Sequence, residues 1–303
     1  MRHRLASVAA ALLTALLAAC DGGNSLPTEA PGKLHVTVTT TQIRSMTEAV
    51  AGDYAQVISL LQANVDPHSY EPKPEDVQRI ARADLVLKHG VGLDSWLDKV
   101  IANAGGRRAP VVVTAGISPL PGTADEPAGD PHVWFDVTNA MTMTLDIRDA
   151  LIGADAAHAA AYRANADAYL SRLAVLDAEI QAEINTIPPD QRKMVTNHDA
   201  FGYYIRRYGL TYVGSVVPSL DASAEPSARQ LGDLILKIRA QHVRAIFLET
   251  SINPKIEQLI ANEAGVNVVD TLYGDTLGPP GSPAYTYEGM MRYDTDTIVR
   301  GLK

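Results

Sequence analysis

Hydrophobic positions from residue 34 onward follow two different periods. Short runs rich in β-branched residues, such as LHVTVTT at 34–40, predict buried strands. Between these runs, apolar side chains recur every three or four positions over stretches of about ten residues, which predicts helices. Strands that alternate with helices indicate βαβ units, so we predict an α/β fold built on parallel sheets that helices cover on both faces.

The predicted strands and helices fall into two groups of similar size. In the first group, strands are predicted to begin at 34, 56, 85 and 110, and helices to cover 43–50, 74–82, 94–103 and 137–151. In the second group, strands are predicted at 193–196, 211–217, 245–248 and 267–272, and helices at 199–208, 228–241, 254–264 and 287–302. Each group predicts one parallel-sheet lobe, and we place the lobes at 34–153 and 189–303.

One long helix is predicted between the two lobes, at 154–188. Apolar or aromatic side chains recur there in steps of three or four, at Tyr162, Ala166, Tyr169, Leu173, Leu176, Ile180, Ile184 and Ile187. The pattern ends at Pro188-Pro189, which cannot continue a helix. At 1.5 Å per residue such a helix spans roughly 45–50 Å. A coiled coil is the alternative, but we predict one rigid helix that joins the lobes and leaves a largely preformed cleft between them.

The first 33 residues predict an export signal followed by a tether. Residues 1–19 combine Arg2 and Arg4 with an apolar run that is too short to span a membrane. The run ends in LAAC at Cys20 and resembles the lipobox of bacterial lipoproteins, in which the cysteine is diacylated and becomes the N-terminus. Residues 20–33 are rich in Gly, Pro, Ser and Asn, which is typical of a flexible linker. We expect a lipid anchor on Cys20; an ordinary signal peptide followed by a free thiol is the alternative.

Composition and missing motifs exclude several classes of protein. Among the 303 residues, 35 acidic side chains outnumber 26 basic ones, and no basic cluster is present, which argues against a nucleic-acid partner. Cys20 is the single cysteine, so the chain cannot form an internal disulfide, a thiolate zinc site or an iron–sulfur cluster. The sequence lacks GxGxxG, P-loop, GxSxG and HExxH motifs, so we predict that the protein is not an enzyme of those common classes.

Three histidines share a context that indicates a metal site. His68 lies in NVDPHSYEPKPED, His132 in GDPHVWFDVTN and His198 in VTNHDAFGYY, each where the chain leads into a helix. Ligands of α/β proteins bind beyond the carboxyl ends of the strands, so three such imidazoles can converge on one metal ion. For a fourth ligand we favour Asp275 in LYGDTLG over Glu249. Taken singly, each loop histidine is more often solvated, and Asp275 could simply form a turn.

Other polar residues receive different predictions. His35, His158 and His242 are expected to be structural or solvated, whereas His89 ends a strand and could approach the site. Carboxylates near the ligands could orient the imidazoles, and we single out Glu249 and Asp66 for that role, with turn formation or helix capping as the alternatives.

The order of these motifs resembles the cluster A-I metal-binding lipoproteins of bacterial ABC importers for zinc and manganese. The resemblance rests on the lipobox, DPHSYEPKPED, DPHVWFD, NHDAFGYYIRRYGL and LYGDTLG, and it extends from LHVTVTT to DTIVRGL. It implies two α/β lobes joined by a rigid helix, with one metal ion in the cleft. Matched motif by motif, the family ligands fall on His68, His132, His198 and Asp275. The resemblance further implies an ABC permease as partner and a position at the outer face of the cytoplasmic membrane. We expect the protein to be a monomer, and a metallochaperone is a further candidate partner.

The donor set predicts zinc capture. Three histidines and one carboxylate fill the tetrahedral shell of Zn²⁺ and leave no open position for the water that a catalytic zinc requires. In the family that the chain resembles, manganese-specific members usually carry a carboxylate where this chain has His198. Some members with three histidines are nevertheless associated with manganese, and the loop ISPLPGTADEPAGDPH lacks the histidines of many zinc binders. We therefore expect one Zn²⁺ per chain, with Mn²⁺ as the alternative and a zinc hydrolase or a surface adhesin as alternatives of other classes.

Overall fold

The computed structural model describes residues 32–105, 109–123, 126–250 and 255–303. The predicted signal peptide, Cys20 and most of the tether lie outside the described residues. In the part of the chain that the structure describes, no helix combines the length and the apolar content that a bilayer crossing requires.

The first lobe contains one parallel sheet with helices around it. Its elements in chain order are β1 (Leu34–Val38), α1 (Thr41–Ala51), β2 (Ala55–Ser59), α2 (Pro74–Arg82), β3 (Leu85–Lys88), α3 (Leu97–Asn103), β4 (Val111–Val112) and α4 (Val137–Ala154). The strands pair in the order β2-β1-β3-β4, and every pair is parallel.

The second lobe repeats this strand order. After α5 (Ala159–Ile184), its elements are β5 (Lys193–His198), α6 (Gly202–Tyr208), β6 (Thr211–Val217), α7 (Ala228–Ala240), β7 (Ala245–Glu249), α8 (Lys255–Ala264), β8 (Asn267–Leu272) and α9 (Tyr287–Leu302). β5 pairs with β6 and β7 with β8, all parallel, and β5 lies beside β7. The spatial order β6-β5-β7-β8 therefore matches β2-β1-β3-β4, which confirms the predicted α/β fold with two similar lobes.

The long helix α5 contacts both lobes. Its buried residues within Ala159–Ile184 are the seven that the three-and-four pattern predicts there, and they pack against α1 and α4 on one side and α9 on the other. The apolar stripe is thus covered within the chain, as the prediction of a single joining helix requires. The helix begins later than predicted because a 3-10 turn at Ala156–His158 precedes it, where Asp155 accepts a hydrogen bond from Tyr162.

The two lobes share one hydrophobic core. A single cluster of buried side chains includes Val36 of β1, Trp134 before α4, Tyr169 of α5, Phe247 of β7 and Met290 of α9. Because this cluster is continuous from one sheet to the other, separating the lobes would expose apolar surface that is buried in the folded chain. The residue boundaries of the lobes stay a prediction.

Two further helices, α6 and α3, begin later than predicted. α6 begins at Gly202 instead of 199, because β5 continues to His198 and a turn follows it. α3 begins at Leu97 instead of 94, because the Asp94 carboxylate accepts hydrogen bonds from the backbone N–H groups of His89 and Gly90.

Candidate metal centre

The four side chains predicted as metal ligands converge on one point in the cleft. His68 lies in the loop after β2, His132 in the loop before α4, His198 at the end of β5, and Asp275 three residues beyond β8. One donor atom from each of these four side chains lies within 4.8 Å of all the others. The side chains of His132, His198 and Asp275 are fully buried, and that of His68 is 2% exposed.

The spacing of the donor atoms suits a tetrahedral ion. Oδ1 of Asp275 lies 3.2 Å from Nε2 of His132 and 3.8 Å from Nε2 of His68, and Oδ2 lies 3.5 Å from Nε2 of His198. The Nε2 atoms of His132 and His198 are 3.3 Å apart. Four ligands at 2.0–2.2 Å from a tetrahedral zinc are about 3.4 Å from one another. The four donors therefore surround a space of the right size for one ion.

Several of these buried polar atoms lack a hydrogen-bond partner among the described residues. Both carboxylate oxygens of Asp275 and Nε2 of His68 are in this state. Leaving a buried polar atom unpaired is costly, and a bound cation would satisfy all three at once. The residues present thus fit a divalent metal, and their role as its ligands stays a prediction.

A carboxylate lies behind two of the imidazoles. Nδ1 of His132 is 2.8 Å from Oδ1 of Asp130, and Nδ1 of His198 is 2.8 Å from Oε2 of Glu249. Such a carboxylate fixes the imidazole orientation and directs Nε2 toward the metal. Behind His68, the nearest carboxylate belongs to Glu126, 3.9 Å from Nδ1.

The two Asp-Pro-His segments use their aspartates differently. Asp66 accepts hydrogen bonds from the backbone N–H of His68 and the hydroxyl of Ser69, so it shapes the loop and does not orient the imidazole. Asp130 accepts from the backbone N–H of His132 in the same way but also contacts the ring. From the sequence we singled out Asp66 and missed Asp130. Both aspartates stand in the same tripeptide, Asp-Pro-His, so the repeat could have drawn attention to Asp130 as well.

We expect Asp130→Asn to lower the metal affinity about tenfold, because the amide keeps the turn but loses the charge that stabilises the imidazole, and loss of such partners typically costs 10–100-fold. Asp66→Asn is the matched control, since the same change there leaves the ring of His68 untouched. Isothermal titration of both variants measures the difference. Equal losses in the two variants would contradict the assignment of Asp130.

Burial and charge together set the protonation of the metal-free site. Burial alone would lower the pKa of His132, but the nearby carboxylates of Asp130 and Asp275 outweigh it and raise the pKa to about 9. Burial also acts to lower the pKa of His198, but the negative charges of Glu249 and Asp275 outweigh it and raise the pKa well above its ordinary value. The same imidazoles overcome burial at Asp275 and hold its pKa well below the usual range. A metal ion bound by these side chains would therefore have to replace protons.

The remaining histidines lie outside the four-donor cluster. His89 is buried, and its Nε2 lies 2.8 Å from the carbonyl oxygen of Pro131, so it supports the loop of His132. Burial lowers the pKa of His89, which keeps the ring neutral. Nδ1 of His35 lies 3.3 Å from Oδ2 of Asp84, and Nδ1 of His158 lies 2.6 Å from Oδ2 of Asp155. His242 is exposed.

The chain matches one protein family over almost its whole described length. The family described as zinc-uptake complex component A, periplasmic, matches residues 36–301. The manganese-binding lipoprotein MntA of Halalkalibacterium halodurans is 33% identical over 293 residues, which are 96% of this chain and 96% of that protein. The iron-binding protein YfeA of Yersinia pestis is 33% identical over 278 residues, 91% of this chain and 88% of its own.

A solved structure has the same architecture. The periplasmic zinc binding protein TroA from Treponema pallidum superimposes with a TM-score of 0.83 at 29% sequence identity, over 89% of this chain and 99% of that one. The names of these relatives thus mention three different metals: manganese, iron and zinc.

Proposed function

The chain belongs to the zinc-uptake complex component A family of metal-binding, substrate-binding proteins of ABC transporters, and we propose that it captures one Zn²⁺ per chain and delivers it to an ABC permease. The observation that carries this proposal is the donor set. Three imidazole nitrogens and one carboxylate lie buried around one point at distances that suit a tetrahedral ion.

The choice of zinc follows from the chemistry of the donors. Imidazole nitrogen is a softer ligand than carboxylate or water oxygen, and among divalent ions zinc binds nitrogen-rich sites more strongly than manganese or iron does. Mn²⁺ is the second candidate, because the relative MntA, which is 33% identical, is described as manganese-binding.

Competition between the two ions tests the proposal. Demetallated protein is titrated with Zn²⁺ and with Mn²⁺ separately, and the Zn²⁺ titration is then repeated with Mn²⁺ in excess. Uptake of one Zn²⁺ per chain that excess Mn²⁺ does not displace supports zinc as the cargo. Tighter binding of Mn²⁺ would assign manganese instead, and uptake of neither ion would reject the function.

The four donors also argue against hydrolysis. A catalytic zinc keeps one coordination position open for water, whereas this cluster supplies four protein donors to a tetrahedral ion. We propose that the protein carries the ion without reacting with any substrate. No feature of the described residues favours adhesion.

The site of action is proposed to be the outer face of the membrane. The segment LAAC places Cys20 where a bacterial lipoprotein carries its lipid, and the relative MntA is itself described as a lipoprotein. Labelling with a radioactive fatty acid in a bacterial host, compared between the native chain and Cys20→Ala, tests this anchor.

We expect metal uptake at neutral pH to release at least one proton, because the raised pKa values of His132 and His198 favour a charged imidazole in the metal-free protein and zinc binds only the neutral ring. The affinity should therefore rise with pH until the pKa of His132, about 9, is passed. Calorimetric titration in two buffers with different ionisation enthalpies counts the protons. An affinity that does not change between about pH 6 and 8 would contradict this prediction.

A further inference from the structure

The segment that carries Asp275 leaves the second lobe before it reaches that residue. β8 ends at Leu272, and the backbone N–H of Tyr273 still donates to Asp294 of α9 at 3.0 Å. From Asp275 onward, apart from bonds within the segment and into α9 and the contact of Asp275 with His198, the hydrogen bonds of residues 275–287 are to the first lobe. We call this segment the strap.

Two residues at the start of α1 hold the strap at the site. Nε2 of Gln42 donates to the carbonyl oxygen of Asp275 at 2.8 Å. The backbone N–H of Leu277 donates to Oγ1 of Thr41 at 2.8 Å, and that hydroxyl donates in turn to Oε1 of Gln42 at 3.2 Å. These bonds close a ring through Asp275, Leu277, Thr41 and Gln42. Gln42 is fully buried, so water does not compete for its amide.

Further bonds attach the rest of the strap to the first lobe. The backbone N–H of Asn64, in the loop after β2, donates to Oγ1 of Thr276 at 3.0 Å. At the far end, the backbone N–H of Tyr287 donates to Oγ of Ser45 at 3.0 Å. The guanidinium of Arg44 donates to the carbonyl of Tyr285 and lies over its ring, 4.3 Å from the centroid.

Outside the donor cluster, where its Nε2 lies 3.3 Å from Nε2 of His132, the contacts of His198 among the described residues are to the second lobe. His198 ends β5, and both its backbone N–H and its Nδ1 contact the carboxylate of Glu249, which ends β7 in the same lobe. Gly274 lies between Tyr273, which is bonded to α9 of the second lobe, and Asp275, which is bonded to Gln42 of the first. A Cβ atom at Gly274 would collide with Oε2 of Glu249, so the chain passes closest to the second lobe there.

From this pattern of bonds we infer that Gln42 is a positioning residue that fixes Asp275 to the first lobe, so that three ligands move together and lobe separation withdraws only His198 from the ion. This inference rests on the proposed function. The Asp275 loop follows the last strand of the second lobe along the chain, yet its hydrogen bonds assign it to the first. Release of the ion then begins by loss of one nitrogen ligand, and the remaining three donors still hold the metal.

The test uses the full chain and the release rate of Zn²⁺ into an excess of chelator, followed by rapid mixing. Gln42→Met keeps the length of the side chain but removes the donor to Asp275, and it should speed release about tenfold, as the loss of outer partners of a metal site does. Ser45→Ala is the matched control, because it removes a bond from α1 to the far end of the strap. Should Gln42→Met fail to fold, Thr41→Val breaks the same ring from its other side and replaces it.

A double-mutant cycle separates positioning from a general effect on the fold. Gln42→Met is combined with Asp275→Asn and, separately, with His198→Ala, and the affinity for Zn²⁺ is measured for each. We expect the effects of Gln42→Met and Asp275→Asn to be strongly non-additive and those of Gln42→Met and His198→Ala to be additive. Equal coupling to both ligands, or release at the native rate from Gln42→Met, would overturn the inference. Failure of the native chain to bind Zn²⁺ or Mn²⁺ would instead reject the proposed function.

Discussion

Replacing His198 with alanine will lower the affinity for Zn²⁺ by more than about 100-fold, beyond the upper end of what loss of an outer partner costs. The substitution removes one of four donors and also leaves the carboxylate of Glu249 buried without the imidazole that it contacts at 2.8 Å. Among the four donors, His198 is the one whose imidazole has a carboxylate of the second lobe, that of Glu249, behind it. Competition against a chromogenic chelator measures the loss.

His242→Asn is the control for this prediction. His242 is exposed and has a backbone φ of 53°, a left-handed conformation that asparagine tolerates well. The control therefore removes one imidazole and leaves the fold and the four donors intact, and its zinc affinity should equal that of the native chain. Full retention of affinity by His198→Ala would exclude His198 as a ligand.

Removing the metal will lower the melting temperature by about 10 °C. An ion that binds only the folded chain stabilises it by about 4 kcal/mol when its free concentration is about 1,000 times the dissociation constant. In a chain of this size, each kcal/mol shifts the midpoint by roughly 2–4 °C. The stabilisation would come from the buried donor cluster. A cation there would satisfy both oxygens of Asp275 and Nε2 of His68, which lack hydrogen-bond partners among the described residues. Thermal unfolding with Zn²⁺ and with excess chelator measures the shift.

The same measurement on a ligand variant shows whether the shift arises at this site. Asp275→Asn removes the negative charge that faces three imidazoles, so added Zn²⁺ should move its melting temperature much less than that of the native chain. An equal shift in both proteins would place the stabilising ion elsewhere.

The fold was predictable because its elements repeat in simple periods. Apolar steps of three and four identified the buried face of α5, and runs of β-branched residues located β1, β6 and β8 to within a few residues. The ends of α3 and α6 were less predictable. The start of α3 depends on a hydrogen bond that Asp94 accepts from the loop after β3, and the start of α6 depends on the bond from His198 to Glu249 of another strand; apolar periodicity reports neither bond.

The sequence predicted which four side chains come together, because their motifs lie in connections between strands and helices, and their role as ligands stays a prediction. The role of Glu249 was harder to assign. A carboxylate beside His198 suits either a metal ligand or a partner of the ring, and only the 2.8 Å contact to Nδ1, on the side of the imidazole away from the other donors, places it behind the ring. Likewise, the sequence does not show that the His132 ring contacts Asp130 on one side and packs edge-to-face on Trp134, with ring centroids 5.3 Å apart.

The attachment of Asp275 by Gln42 could not be predicted from the sequence. The two residues are 233 positions apart, and a Thr-Gln pair at the start of a helix ordinarily predicts only a solvated first turn. Its importance depends on which lobe the Asp275 loop contacts, and strand order along the chain predicts the opposite lobe.

The shared core has a consequence for the order in which the chain folds. The hydroxyl of Tyr287 donates to the carbonyl of Trp134 at 2.7 Å, and Met290 and Met291 of α9 are fully buried in the cluster that contains Val36 of β1. Domains of a growing chain generally fold one after another, beginning at the N-terminus. Here the first lobe lacks part of its core until α9 has been synthesised, so its folding cannot be completed before then, and removal of α9 would destabilise even the lobe that is made first.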